Sequence, residues 1–188
     1  MTYSDEELYN LVADKMRISE MAFSVLYDRH SPQIWAFCLR FLGNETVAKD
    51  VFQETFLRFY NSIDGSRAID NLPGYILKIA RNLCINQVNS AATFDAIPFD
   101  DDEFFAQTRQ NDNAELLDLI KKSVANLSDS YREVFIMREY QGLAYQEIAD
   151  ITGDTLTNVK VKIHRAKDKI REILAVYIED LQKHDIKI

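Results

Sequence analysis

Nine polar side chains gather on one side of the segment from Thr157 to Arg171: Thr157, Asn158, Lys160, Lys162, His164, Arg165, Lys167, Lys169 and Arg171. Hydroxyls and amides at one end and cations along the rest offer one kind of chemistry. A helix carrying them fits a DNA major groove, with its first turns at base edges and its later cations beside phosphates. The competing reading is an amphipathic helix whose cationic face is merely solvated, which is the commoner case for a single helix. Charge asymmetry weighs against it. From Asp154 to Glu172 six lysines and arginines stand against three acids, a net of +3 in a chain whose total is −8.

The elements that must hold this face are readable around it. Val159, Ile163, Ala166 and Ile170 recur at helical spacing and are expected to face inward. Upstream, Ala144, Ile148, Ala149 and Ile151 give a shorter helix its apolar face, and Gly153 stands where a left-handed residue would end it. Thr155 ahead of Asn158, or Asp154 ahead of Thr157, supplies an oxygen for the free amides of the next first turn. Gln141 to Lys169 therefore reads as a helix-turn-helix. Ala114–Asn126 and Asp129–Tyr140 read as two more helices, with Leu127, Ser128 and Ser130 breaking and capping between them. Leu116, Leu117, Ile120, Val124, Val134, Phe135 and Met137 are expected to complete a four-helix module.

A second set of polar residues lies on Asn71–Asn89, where Leu72, Ile76, Ile79, Ala80, Leu83 and Val88 mark the inner face. The outer face carries Lys78, Arg81, Asn82, Asn86, Gln87 and Asn89, and no acid occurs from Leu72 to Thr93. Amides and cations without carboxylates suit a nucleic-acid strand, and Tyr75 with Tyr60 offers a stacking surface for an unpaired base. A third face is acidic. On Glu45–Asn61, with Ala48, Val51, Phe52, Thr55 and Phe59 inward, Asp50, Gln53, Glu54, Leu57 and Arg58 share the outer side. Ahead of it, Asp14–Leu42 has helical periodicity through Met21, Ala22, Val25, Leu26, Ile34, Phe37, Cys38 and Phe41, with a restart expected at Ser31-Pro32.

An acidic balance, 22 Lys plus Arg against 30 Asp plus Glu, is unusual for a nucleic-acid binder until the charge is located. Asp95, Asp100, Asp101, Asp102, Glu103, Asp112, Glu115 and Asp118 are offset only by Arg109. That stretch is −7 and leaves −1 for the rest of the chain. Local basic faces are thus possible on either side of it. A hydrophobic content of 47% excludes a disordered chain, and five glycines and three prolines favour helices. No apolar run approaches the roughly 18 residues of a membrane span. The polar N-terminus is unlike a signal peptide, so a cytoplasmic location is expected. Cys38 and Cys84 read as buried apolar thiols, with no metal or cofactor motif. The fold expected is all-α: residues 1–92 and 113–188 form two small helical modules, the second with the helix-turn-helix, joined by an acidic linker over 93–112.

In this order the parts resemble a sigma factor of the extracytoplasmic function (ECF) family, over most of Met21 to Leu174. FCLRFLGNETVAKDVFQETFLRFY looks like the family's helix pair for core polymerase, GYILKIARNLCINQV like its promoter-melting helix, and LSDSYREVFIMREYQGLAYQEIADITGDTLTNVKVKIHRAKDKI like its C-terminal DNA-binding module. The resemblance implies that Asp50, Gln53, Glu54 and Leu57 dock on the β′ clamp helices of core RNA polymerase. It implies a second contact, to the β flap. Asn61, the loop to Asn71, and Tyr75, Lys78, Arg81, Asn82 and Asn86 would capture a flipped base of the minus-ten element and hold the opened strand, offsetting the few kcal/mol that extrusion costs. Thr157, Asn158, Lys160, Val161, Lys162, His164 and Arg165 would read the minus-thirty-five element.

It further implies an anti-sigma partner, often membrane-anchored, and neither catalysis, cofactor nor small-molecule substrate. Two departures stand out. Asp154-Thr155 and Val161-Lys162 replace the frequent Ile-Pro and Ser-Arg. Lys162 lacks arginine's planar fork, so that position is expected to grip phosphate. The alternatives are a decoy that binds an anti-sigma factor, and a stand-alone dimeric helix-turn-helix regulator with symmetrical half-sites.

Overall fold

The computed structural model describes residues 3–13, 19–63, 69–91 and 114–185. The chain forms two compact units, Met1–Pro98 and Phe99–Ile188. The acidic stretch over 93–112 lies outside the described residues. Helices account for the regular structure of both units, with no strand among the described residues.

In the first unit, α1 (Asp5–Ala13) packs on α2 (Ser19–Leu42), while α2, α3 (Glu45–Asn61) and α4 (Leu72–Ala91) pack on one another. The short α1 buries Leu8, Tyr9 and Val12. Its start carries a capping box in which Ser4 Oγ accepts from Glu7 N and Glu7 Oε2 accepts from Ser4 N, at 3.2 and 2.7 Å. Asp5 ties it to α2, pairing with Arg29 and lying 3.1 Å from Nε2 of the buried His30.

The restart expected at Pro32 does not occur. α2 runs unbroken from Ser19 to Leu42 with Pro32 inside it. An interior proline costs about 3 kcal/mol. Leu26 and His30 before it and Ile34, Phe37, Cys38 and Phe41 after it are all buried, and that packing outweighs the loss. Asn44 then caps α3, its Oδ1 accepting from Val47 N at 3.0 Å.

α3 buries Ala48, Val51, Thr55, Phe56 and Phe59, so Phe56 joins the expected stripe. Phe52 is half-buried in an aromatic cluster, with ring centroids 5.2 Å from Phe56 and 5.7 Å from Trp35. α4 is rotated from the expected register. Leu72, Ile76, Leu77, Ala80 and Cys84 are buried, whereas Ile79, Leu83 and Val88 are only half-buried. This helix is apolar over more than a single stripe, and its packing on α2 and α3 selects which side is covered. It brings Cys84 against Cys38. Both thiols are free and fully buried.

The second unit is arranged around α8 (Leu156–Asp185), on which α5 (Ala114–Ala125), α6 (Asp129–Phe135) and α7 (Tyr145–Thr152) all pack. Val124, Leu127, Val134, Ile136, Met137, Ile148 and Ile151 fill the interior with the inner stripe of α8. Leu117, expected inside, is 41% exposed, and the covered part of α5 lies further along, at Ser123 and Val124. Leu116 lies outside the residues whose side chains are described. Ser128 occupies the N-cap of α6 without a side-chain cap bond. Arg132 closes that corner instead, donating to the carbonyls of Ala125 and Leu127. After Phe135 the helix widens into a π-turn over Ile136–Tyr140, where Gln141 N bonds Ile136 O at 3.2 Å.

Candidate nucleic-acid interface

α7 begins at Tyr145, and Ala144 is its exposed N-cap instead of part of the apolar face. Alanine has no side-chain acceptor, so only the return half of a capping box is made: Glu147 Oε2 accepts from Ala144 N at 2.7 Å. Ile148, Ala149 and Ile151 are buried as expected. The helix ends at Gly153, whose φ of 73° and ψ of 20° lie in the left-handed region that a side chain would oppose. Three residues, Gly153 to Thr155, make the turn. Of the two caps the sequence allows, Thr155 serves, its Oγ1 accepting from Asn158 N at 3.2 Å.

On α8, Val159, Ile163, Ala166 and Ile170 are buried as their spacing predicts. Thr157, Asn158, Lys160, Val161, His164 and Arg165 are exposed on the other side, and Lys162 is half-buried. The cations of this face already have partners within the module. Lys162 Nζ lies 2.5 Å from Asp154 Oδ2, and Lys167 Nζ 2.9 Å from Glu139 Oε1. His164 Nδ1 and Arg171 Nη1 flank Asp168 at 2.7 and 2.8 Å. Lys160 lies over the Tyr145 ring at 5.9 Å, and the Arg138 guanidinium is 4.6 Å from the same ring centre.

Arg165 bonds the Tyr131 hydroxyl and holds that phenol below its ordinary pKa; Lys169, 5.2 Å from the ring centre, and Lys162 add to the effect. Surface pairs of this kind contribute at most about 1 kcal/mol each, so a phosphate can replace any of them. Lys162, the position expected to grip phosphate, is held within the module. Asp154 draws it back across the first two turns of its own helix. Lys162 and then Asn158 hold the Asp154 carboxyl below its usual value.

The partners Asp154, Tyr131, Tyr145 and Glu139 were not among the residues expected at the site. Asp154, Asn158 and Lys162 recur every four residues, a signal readable in advance. The other three come from separate elements, and only folding reveals them.

In the first unit, Asp50, Gln53 and Leu57 are exposed and Glu54 half-buried, at i, i+3, i+4 and i+7 along α3, so the expected acidic face forms. Leu57 is 55% exposed. Arg58 Nε donates to Glu54 Oε1 at 2.7 Å. On α4, Lys78, Asn82 and Asn86 are exposed along one side, and Arg81 Nη1 donates to Asn82 Oδ1 at 3.2 Å.

Tyr75 is half-buried, its ring edge-on to Phe59 at 6.4 Å, and so it is not the open stacking platform its position suggested. Tyr60 packs edge-on against Phe23 at 5.0 Å and stays 46% exposed. Asn61 ends α3, exposed. Of the loop that follows it, residues 64–68 lie outside the described set. Asn71 caps α4, its Oδ1 accepting from Gly74 N at 2.9 Å. A Cβ on Gly74 would stand 2.7 Å from that amide, so a side chain there would have to displace the cap.

No helix among the described residues is long and apolar enough to cross a membrane. Among those residues no group of three His, Cys, Asp or Glu side chains is placed to hold a metal ion.

Residues 26–93 match the model for Sigma-70 region 2 and residues 117–170 the model for Sigma-70, region 4. Relatives include RNA polymerase sigma factor YlaC of Bacillus subtilis, 26% identical over 78% of this chain and 88% of that one. ECF RNA polymerase sigma factor SigW of the same organism is 27% identical over 81% of this chain and 89% of that one. The fold is shared with the sigma factor RpoE of Bartonella quintana, solved with the anti-sigma factor NepR, at TM-score 0.69 and 24% identity, over 82% of this chain and 97% of that one. CnrH, solved with the cytosolic domain of CnrY, gives the same TM-score at 22% identity, over 92% of this chain and 97% of that one. Between them the two sigma-70 regions span more than half of the chain, in the order in which its two helical units occur, and with such relatives the chain belongs to the sigma-70 family, in its ECF group.

Proposed function

We propose that this ECF sigma factor gives core RNA polymerase its promoter specificity through three separate faces. Asp50, Gln53, Glu54 and Leu57 on α3 dock on the β′ clamp helices. Asn61, Lys78, Arg81, Asn82 and Asn86, with Tyr75 shaping the start of α4, engage the opened minus-ten strand. Thr157, Asn158, Lys160, Val161, Lys162, His164 and Arg165 on α8 read the minus-thirty-five element, where Val161, 42% exposed, suits a thymine methyl. The module boundaries are 1–92 and 113–188, with 93–112 as an acidic tether. The β flap is the second polymerase contact. The protein works in the cytoplasm, performs no catalysis of its own, and is held inactive by an anti-sigma protein.

The observation that carries this reading is the presence on one chain of both sigma-70 regions, each with its outward face exposed. The partnered cations of α8 argue against a regulator that binds duplex DNA unaided, because each phosphate contact must displace an internal one.

Run-off transcription from a pool of genomic fragments, with core polymerase present and the protein added or omitted, tests the reading. Transcripts should start only with the protein and disappear with the variant Asp50→Lys, Glu54→Lys. Binding to core without new starts would point to a missing activator or promoter, whereas no binding at all would give the lead to the decoy or the stand-alone regulator.

A further inference from the structure

One carboxylate at the entry to α8 organises three donors. Asp154 Oδ1 accepts from Thr155 N at 3.1 Å and from Asn158 Nδ2 at 3.0 Å, and Oδ2 accepts from Lys162 Nζ at 2.5 Å. The carboxylate side chain is only 17% exposed and the lysine 27%. The left-handed Gly153 sets where the group stands, and the cap bond from Asn158 N to Thr155 Oγ1 sets where the amide side chain starts.

An ionised carboxylate only accepts hydrogen bonds, so the Asn158 amide must turn its NH2 group toward Asp154. When the N–H trans to the carbonyl oxygen is the one given to Asp154, the oxygen and the second N–H of the exposed Asn158 are left side by side for a base. Among the bases in a major groove, only adenine presents a donor and an acceptor side by side, its N6–H and N7, to match that edge. Guanine offers two acceptors, cytosine a donor, and thymine an acceptor with a methyl group. An amide free to flip would lose this selectivity.

Resting on the promoter-reading role of α8, we propose that Asp154 is a positioning residue for base readout. It fixes the Asn158 amide to select adenine, and it keeps the Lys162 ammonium off the phosphate backbone. Lys160 and Arg165, whose partners are tyrosines and not carboxylates, are left as the phosphate-seeking cations of these turns. The helix thus separates a reading edge, built on a carboxylate, from a gripping edge.

The test uses the full chain with core RNA polymerase on promoters randomised across the minus-thirty-five element, with sequencing of the templates that start transcripts and promoter binding measured over a salt series. The wild type should enrich adenine at one position about fivefold or more, the lower bound for a bidentate amide pair. Asn158→Ala should lose that preference without a change in salt slope. Asp154→Ala should lose it and steepen the slope by about one unit, as the freed lysine finds a phosphate. Asp154→Asn keeps the oxygen that serves Thr155 N and the Asn158 amide, so it should hold the adenine preference while its uncharged amide frees the lysine and steepens the slope, which keeps loss of folding from being mistaken for the effect. Retention of the adenine preference by Asp154→Ala, or of the wild-type slope by Asp154→Asn, overturns the proposal, as does an unchanged preference in Asn158→Ala. A wild type that starts transcripts with no adenine selected overturns this inference alone. One that starts none overturns the sigma-factor reading, and this inference with it.

Discussion

Arg132 holds Leu127 by its backbone: the guanidinium Nη2 donates to the Leu127 carbonyl at 2.9 Å and to the Ala125 carbonyl at 2.7 Å. Those carbonyls belong to the end of α5 and the turn after it, so the arginine does the work of a C-cap from the next helix. Burial lowers the Arg132 pKa, and Asp129 opposes that effect. Hydrogen bonds from a charged donor contribute roughly 1.5–3 kcal/mol. Arg132→Ala should cost the second unit about 2–4 kcal/mol in urea unfolding. Arg132→Lys should recover only part of it, since a single ammonium does not reproduce the fork.

Leu57 is a large apolar side chain in the middle of a polar face, with Glu54 one turn before it. Its solvent exposure means that Leu57→Asp should change thermal stability by no more than about 0.5 kcal/mol. Binding to core polymerase should fall at least about tenfold, as expected of an anchor at the centre of an interface. Equal binding of the variant and the wild type in a gel-filtration or interferometry assay would remove α3 from the proposed docking face.

The partnered basic face predicts a shallow salt dependence. Six lysines and arginines between Asp154 and Glu172 could each release a counterion, with a slope contribution of about 0.9 per phosphate contacted. Several must first leave Asp154, Asp168 or Glu139, so the full chain without polymerase should bind a promoter fragment weakly. Its slope should be well below the one six free cations would give. Glu139→Gln frees Lys167 and should raise the slope by about one unit in fluorescence anisotropy against salt.

Cys84 should be inert toward iodoacetamide in the folded protein. The hydrogen bond with Cys38 is the main cause that pushes its thiol far above the ordinary range, followed by burial. The thiolate is the reactive species, so raising pH through 9 should accelerate labelling of a free thiol but not of this one. Labelling should instead follow opening of the α2–α4 packing, and urea should accelerate it in step with unfolding of the first unit. Rapid modification in native buffer would contradict this.

Legibility from sequence followed how many faces of each helix were apolar. α8 is legible because Val159, Ile163, Ala166 and Ile170 stand against an otherwise polar circumference. The register of α4 is not, because Ile76, Leu77, Ile79, Ala80, Leu83 and Cys84 allow more than one stripe, and only its neighbours decide between them. α1 lies in an acidic N-terminus where its only local sign is the capping box of Ser4 and Glu7. Pro32 suggested a break that packing overrides. The outward faces of α3, α4 and α8 were all legible as faces. What the cations of α8 touch was not, because Tyr131, Glu139 and Tyr145 approach from other elements. Tyr75 looked available from its position and is half-covered because Phe59 stands beside it.

The π-turn at Ile136–Tyr140 also bears on how this module tolerates changes in chain length. A π-turn is an α-helical turn holding one surplus residue. Elsewhere in these helices, removing a single residue would swing everything beyond it by about 100° and turn buried positions outward. Within Ile136–Tyr140, a deletion has a regular conformation to fall into, an ordinary α-turn that keeps the buried Val134 and the helix-turn-helix on their own sides. This stretch is the module's slack, where the chain can shorten by one residue without losing its phase.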